Sequence, residues 1–234
     1  MWSPSDSHSD RELLPAVVLL SGGMDSSCLI HYVAKRLLRR PVYALSFFYR
    51  QRHRRELECA QYQANLVGAS HQIVDIAFLG DLVKSGTSLV EQGTPVPDLT
   101  EVQVEDRDQP PTYVPNRNMI LLSLAAAFAE AHGATEVYYG AQANDEYGYW
   151  DCTPAFLDAI NRVLALNRRT PVRVCAPFVR MSKAESLRIG LELGVDYSHT
   201  WSCYRGGEVP CGTCPTCVER HNAFAAAGVP DPLG

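Results

Sequence analysis

Apolar residues gather in short unbroken runs, separated by stretches in which they recur every three or four positions. The first run, Ala16-Val17-Val18-Leu19-Leu20, predicts a strand buried on both faces. It breaks at Ser21-Gly22-Gly23 before Cys28-Leu29-Ile30-His31-Tyr32-Val33 takes up helical spacing. This helix is predicted to run to about Arg39, where Pro41 stops it, and Val42 to Phe48 supplies a second strand. A further helix reaches Leu66-Val67 and ends at Gly68, and His71-Gln72-Ile73-Val74-Asp75 reads as a third strand. From Lys84 to Thr112 no period is sustained among Gly, Pro and acidic residues, which predicts a long loop or partly disordered lid. Met119 to His132 is almost wholly apolar and alanine-rich, so a fully buried helix is expected there, closed by Gly133.

Glu136-Val137-Tyr138-Tyr139 gives a fourth strand ending at Gly140. The loop from Ala141 to Cys152 then holds Asn144, Asp145, Glu146, Tyr147, Tyr149, Trp150 and Asp151, a polar and aromatic set suited to a flat heterocycle. Thr153-Pro154 supplies a cap and a first-turn proline for the next helix, and Val172 to Cys175 is a fifth strand. Ser182-Lys183-Ala184-Glu185 is a capping box whose helix ends at Gly194. Strands alternating with helices predict an α/β fold with a doubly wound, mainly parallel sheet and helices on both faces. The expected organisation is a flexible start over 1–14, one α/β domain over 15–195, and a cysteine-bearing segment with a terminal helix over 196–234.

A length of 234 residues, 46% of them hydrophobic, suffices for one substantial core without disulfide staples. The net charge of −5 argues against broad electrostatic binding of nucleic acid and favours small-molecule chemistry. The polar Met1 to Asp10 has no apolar signal core and no later run reaches membrane-spanning length, so a cytoplasmic protein without a membrane partner is expected.

The turn Ser21-Gly22-Gly23-Met24-Asp25-Ser26-Ser27 follows a strand and opens a helix. Its backbone can approach an anion closely, and the N–H groups of the helix start favour phosphate. Asp25 would repel bare phosphate, whereas a divalent cation between the two reconciles them, so a nucleotide with magnesium fits. Neither the Walker ending nor a G-x-G-x-x-G fingerprint occurs. The loop resembles that of enzymes that split ATP into AMP and pyrophosphate.

Cys203, Cys211, Cys214 and Cys217 are spaced C-x7-C-x2-C-x2-C in a segment of Gly and Pro turns, a pattern for a closed tetrahedral zinc site; an iron–sulfur cluster also accepts four cysteines, but the spacing does not match the ferredoxin runs. Cys28, Cys59 and Cys175 read as packing residues. Cys152, at a helix start, reads either as facing a substrate or as plain packing.

In chain order, the glycine loop, Gln51-Arg52-His53 with Glu56, Tyr113-Val114-Pro115 with Arg117-Asn118, Gly148-Tyr149 with Asp151-Cys152, Ser182 to Glu185, and Thr200-Trp201-Ser202-Cys203-Tyr204 before the cysteines resemble the 7-cyano-7-deazaguanine synthase (QueC) family from about Val17 to Asp231. That resemblance implies an adenine nucleotide alpha hydrolase-like fold and a zinc-containing, homodimeric ATP enzyme. It would turn 7-carboxy-7-deazaguanine and ammonia into the nitrile through adenylated carboxylate and amide intermediates. It implies ATP binding by Leu20, Ser21, Gly22, Gly23, Met24, Asp25, Ser26, Ser27, Cys28, Leu29 and Ile30, with Asp25, Lys183 and Arg117 in the chemistry. Gln51, Arg52, His53, Tyr113, Asn118, Tyr149 and Asp151 would contact the deazapurine, and the four cysteines would hold structural Zn2+, with Mg2+ accompanying ATP. Two positions depart from the family pattern: Arg50 stands where the family commonly has Gly, and Trp150 where it commonly has Pro. Both put bulk beside the expected substrate pocket, so a relative that stops at the amide, or joins the activated deazaguanine to another amine, including one on a protein, is the alternative. A non-enzymatic zinc module contacting a partner or tRNA is the reading from another class; the acidic charge and intact glycine loop count against it.

Overall fold

The computed structural model describes residues 14–102, 109–142 and 149–234. In chain order the elements are β1 (Ala16–Leu19), α1 (Met24–His31), β2 (Val42–Phe48), α2 (Arg55–Leu66), β3 (Ser70–Asp75), α3 (Ala77–Val83), α4 (Arg117–Ala131), β4 (Glu136–Tyr138), α5 (Pro154–Leu164), β5 (Arg173–Cys175), α6 (Lys183–Glu192) and α7 (Pro215–Ala227). The strands form one parallel sheet in the order β3-β2-β1-β4-β5, with Ala16 opposite both Val42 and Glu136. The order reverses between β1 and β4, and at such a switch point the helices depart to opposite faces and leave a crevice beyond the strands' C-terminal ends.

Alternation along β1 divides the core. Ala16 and Val18 pack with Leu29, Ile30 and Val33 of the first helical segment and with Ala60 and Ala64 of α2. Val17 faces the other way, into a cluster with Leu122, Ala125 and Ala129 of α4 and Phe156 and Ile160 of α5. Each fully buried Leu or Ile contributes about 1.5–3 kcal/mol. The doubly wound sheet expected from the alternating pattern is the one found.

Three local expectations change. The first helix does not reach Arg39: it widens into a π-turn over Tyr32–Arg36, Leu38 adopts φ 55°, and the Arg39 N–H turns back to the Val33 carbonyl at 3.1 Å. The helix expected to be fully buried, α4, buries only Leu122, Ala125, Ala126 and Ala129; Met119 and Leu124 are exposed, because an outer-layer helix has a sheet on one side only. The stretch from Lys84 to Thr112, in its described part, is a packed strap rather than a disordered lid. Leu89 and Val90 are buried, Arg52 donates from Nε to Ser88 O (2.9 Å) and from Nη2 to Gly93 O (2.7 Å), and Leu99 N donates to Thr213 O (3.0 Å). The flexible start, through residue 13, and the polar loop positions Asn144, Asp145, Glu146, Tyr147 and Gly148 lie outside the described residues. Among the described residues no helix is long and apolar enough to cross a membrane.

Candidate active site

A cavity of about 270 Å³ opens at the switch point. Its floor is the turn after β1. Gly22 has φ +89°, and a Cβ there would lie 2.0 Å from Glu56 O, so only glycine lets the turn rest on the first turn of α2. Ser26 Oγ accepts from Ser21 N and Gly22 N, both at 3.2 Å, which fixes the curl. Gly23 precedes α1 and gives it no side-chain cap, so the helix N-terminus faces the cavity through Met24, Asp25 and Ser26. Of the expected nucleotide stretch, Leu20, Ser21, Gly23, Met24, Asp25 and Ser26 line the cavity. Ser27, Cys28, Leu29 and Ile30 are buried behind it. Burial, helped by the Asp25 charge, pushes the Cys28 thiol up to about 12, and its Sγ donates to Ser186 O at 3.1 Å.

Lys183, first residue of α6, points its ammonium across this floor. Nζ is 3.0 Å from Glu219 Oε2 and 3.7 Å from Asp25 Oδ2. Glu219 is on α7, two residues beyond Cys217, and nothing in its local sequence marks it; only the fold carries it to the lysine. Two carboxylates around one ammonium leave net negative charge, a setting in which phosphates bind together with a divalent cation.

The lining continues through Arg117, Asn118, Tyr139, Tyr149 and Cys152, with His53 joined to Glu56 beside the turn. Burial opposes the Arg117 charge, but Tyr49, Tyr204 and Asp151 together hold its guanidinium above the usual range, and Nη1 donates to Tyr49 OH at 3.2 Å. Burial raises the Asp151 carboxyl against the pull of Arg117; Oδ2 accepts from Asn118 N at 3.4 Å. Tyr149 OH shares a hydrogen bond with Thr112 Oγ1 at 2.7 Å. Tyr139 is 4% exposed and its hydroxyl has no hydrogen-bond partner among the described residues, so it is a ready contact for a ligand's polar atom. Tyr139 follows β4 directly at the switch point, and that position, last apolar residue before Gly140, is the sequence signal for it.

Gln51 reaches the cavity wall, but its amide is taken up by the main chain: Nε2 donates to Phe47 O (3.0 Å) and Oε1 accepts from Tyr49 N (2.9 Å). Arg52 is not brought to the cavity; it ties down the strap. Tyr113 also lies outside the lining, its hydroxyl accepting from Asn116 N at 3.0 Å and Trp150 Nε1 at 2.9 Å. Trp150, spent on that bond and on an edge contact with Phe156, does not narrow the cavity. Arg50 also turns away, 3.4 Å from Asp81 of α3, and its φ of 63° lies in the region that suits glycine.

The sulfurs of Cys203, Cys211, Cys214 and Cys217 lie within 4.8 Å of one another. Cys211 N approaches Cys203 Sγ and Cys214 N approaches Cys211 Sγ, each at 3.4 Å. Main-chain N–H groups directed at sulfur suit thiolates, so the donor set fits a metal ion in a closed shell. The segment is also a wall of the cavity, through Trp201, Ser202, Tyr204, Pro215, Thr216 and Glu219.

The sheet order and the glycine turn at its switch point define a doubly wound, parallel α/β protein. The NMN synthetase of Francisella tularensis shares this fold, with a TM-score of 0.50 over 96% of this chain and 82% of that one at 14% identity. Residues 15–228 match the family described as "Queuosine biosynthesis protein QueC", and the chain belongs to that family. It is 47% identical to the 7-cyano-7-deazaguanine synthase of Archaeoglobus fulgidus over 221 residues, covering 94% of this chain and 90% of that protein. To the 7-cyano-7-deazaguanine synthase of Caldicellulosiruptor bescii it is 44% identical over 218 residues, covering 93% and 96%.

Proposed function

We propose that this protein is an AMP-forming, ATP-dependent C–N ligase that converts 7-carboxy-7-deazaguanine and ammonia to 7-cyano-7-deazaguanine, in queuosine-type biosynthesis. The observation that carries the reading is the single cavity in which Asp25, Lys183 and the uncapped α1 N-terminus face Arg117, Tyr139 and Tyr149. One end suits phosphates and the other a flat polar ring.

A carboxylate is a poor electrophile with a poor leaving group, so it is first adenylated, releasing pyrophosphate. Ammonia then displaces AMP to give the amide, and a second adenylation on the amide oxygen lets AMP leave as the nitrile forms. The turn Ser21 to Ser26 and the α1 N-terminus receive the phosphates, and Lys183 offers N–H donors to the charge that develops on them. Asp25, with Glu219 across the floor, would hold Mg2+, whose charge offsets the triphosphate. Arg117 neutralises the acid's carboxylate, while Asn118, Tyr139, Tyr149 and Asp151 hold the ring. The four cysteines would hold one Zn2+ as a structural clip, with no open position for catalysis. Arg50 and Trp150 turn away from the cavity, which supports ammonia rather than a larger amine as the nucleophile. We place the enzyme in the cytoplasm, as a homodimer.

Mass spectrometry of a mixture of the protein, ATP, Mg2+, ammonium and 7-carboxy-7-deazaguanine tests the reading. Nitrile with AMP and pyrophosphate is expected. ADP and orthophosphate would overturn the adenylation; amide as the end product would overturn the second round; deazaguanine fixed on a co-expressed protein would favour conjugation.

A further inference from the structure

The phosphate chemistry leaves one buried pair in the cavity unused. His53 Nε2 lies 3.2 Å from Glu56 Oε2, with side chains 3% and 13% exposed. A carboxylate only accepts, so Nε2 carries the proton and Nδ1 presents a lone pair when the ring is neutral. Nδ1 has no hydrogen-bond partner among the described residues, and the ring lines the cavity.

The ring is also held in place. Glu56 N donates to His53 O at 3.4 Å as α2 begins, and the Glu56 carbonyl is the atom on which Gly22 rests. On the other side, a Cβ at Gly206 would lie 3.4 Å from His53 Cα and 2.6 Å from Arg52 O, so the cysteine segment abuts this turn closely. The Tyr204 ring centre is 5.7 Å from that of His53. The imidazole thus stands between the phosphate loop and the metal segment, beside the space for an acid whose adenylate lies on the loop.

We propose that His53 is the general base of the amine half of the reaction and that Glu56 is its positioning residue, an assignment that rests on the synthase reading above. As ammonia attacks the acyl adenylate, the new C–N bond forms, the C–O bond to AMP breaks, and the surplus N–H proton passes to Nδ1 and then to solvent. In the second round AMP is placed on the amide oxygen, pyrophosphate leaves, and one of the two N–H protons is lost to solvent, giving a neutral imidate adenylate. His53 then removes the remaining N–H proton, the N–H electron pair becomes the third C–N bond, and AMP departs with the oxygen. Each step is redox-neutral, and a fixed base–carboxylate pair is the arrangement such transfers use.

Three measurements test this on the full-length protein. His53→Gln should lower nitrile formation by about 10²- to 10⁴-fold while ATP–pyrophosphate exchange with 7-carboxy-7-deazaguanine persists. Imidazole should restore turnover to His53→Gly, which loss of a packing or ring-binding contact would not permit. Glu56→Gln should lower kcat for converting the amide to the nitrile without raising KM for the amide, and it decides the matter if the His53 variants do not fold. Loss of exchange together with turnover, wild-type turnover in His53→Gln, absence of imidazole rescue in a folded His53→Gly, or a pure KM effect in Glu56→Gln would each overturn the assignment. If the unsubstituted protein shows no exchange with the acid and no pyrophosphate release with the amide, the synthase reading falls first and takes this one with it.

Discussion

The main-chain N–H of Trp201 donates to the carbonyl of Gly22 at 3.0 Å. A residue just before the first clustered cysteine therefore holds the middle of the phosphate-type turn. Thr216 Oγ1 donates to Ser202 O at 2.7 Å, and Arg55 lies over the Trp201 ring at 4.6 Å, so the cysteine segment is pinned to α2 and to the turn at once. A metal bound by the four cysteines would order a wall of the cavity as well as the segment that carries them.

Cys214→Ser should accordingly reduce both stability and nucleotide handling. Opening a four-thiolate shell removes metal-binding free energy from folding; a loss of about 3 kcal/mol corresponds to roughly 6–12 °C in Tm for a chain of this size. Elemental analysis should find one zinc per chain in the unsubstituted protein and less in the variant, and a calorimetric scan gives the Tm.

Asp25→Asn removes the carboxylate beside Lys183 while leaving the turn's packing in place. Pyrophosphate release should fall by about 10²-fold or more, since a charge at the reacting phosphates is lost. A coupled pyrophosphate assay with a thermal melt in parallel separates this from unfolding. An undiminished rate would remove Asp25 from the metal role.

Gly22→Ala adds a Cβ at φ +89° and 2.0 Å from the Glu56 carbonyl. Both terms push the turn off α2, and a destabilisation of about 2 kcal/mol or more is expected. Urea titration measures it; a neutral result would mean that the turn does not rest on α2 as described.

Acid sensitivity should come from His31, buried in the core with Nε2 3.0 Å from Gln63 Oε1. Burial, with the Lys35 charge adding to it, pushes its pKa down from 6.5 to about 4, against the Gln63 bond. Between those values the unfolded chain binds more protons than the folded one. The His31 contribution is complete above pH 6.5 and is lost progressively as pH falls through about 4, about 3 kcal/mol in all. Urea titrations at pH 7.5 and pH 4.5 should show the decline, and His31→Gln should flatten it.

The sheet was legible in the sequence because each buried strand is a short apolar run ended by Gly, Pro or a polar turn, and the glycine turn that opens α1 because its glycines and Asp25 are contiguous. The cysteine cluster was legible for the same reason: its ligands are close in sequence as well as in space. What escaped notice depends on distant pairing. Glu219 looks like any polar residue on a short helix until α7 packs beside α6 and brings it to Lys183. Arg220 likewise gives no local sign of binding Asp231 at 2.8 and 2.9 Å and Thr200 Oγ1 at 2.7 Å. Gln51 and Arg52 sit among pocket residues in sequence, yet the backbone atoms of β2 and the strap claim their side chains. Composition misled at α4, where alanine and leucine on every side suggested full burial and only one stripe meets the sheet.

Chain order gives the contact between Trp201 and Gly22 a temporal meaning. A nascent chain that has released its five strands can assemble the sheet, but its glycine turn lacks a clasp until Trp201 emerges and its lysine lacks Glu219 until α7 follows. Asp231 closes the fork around Arg220 later still. The proposed site is thereby completed only once α7 has emerged, and stalled or clipped products that end before it should be inert toward ATP rather than wastefully active.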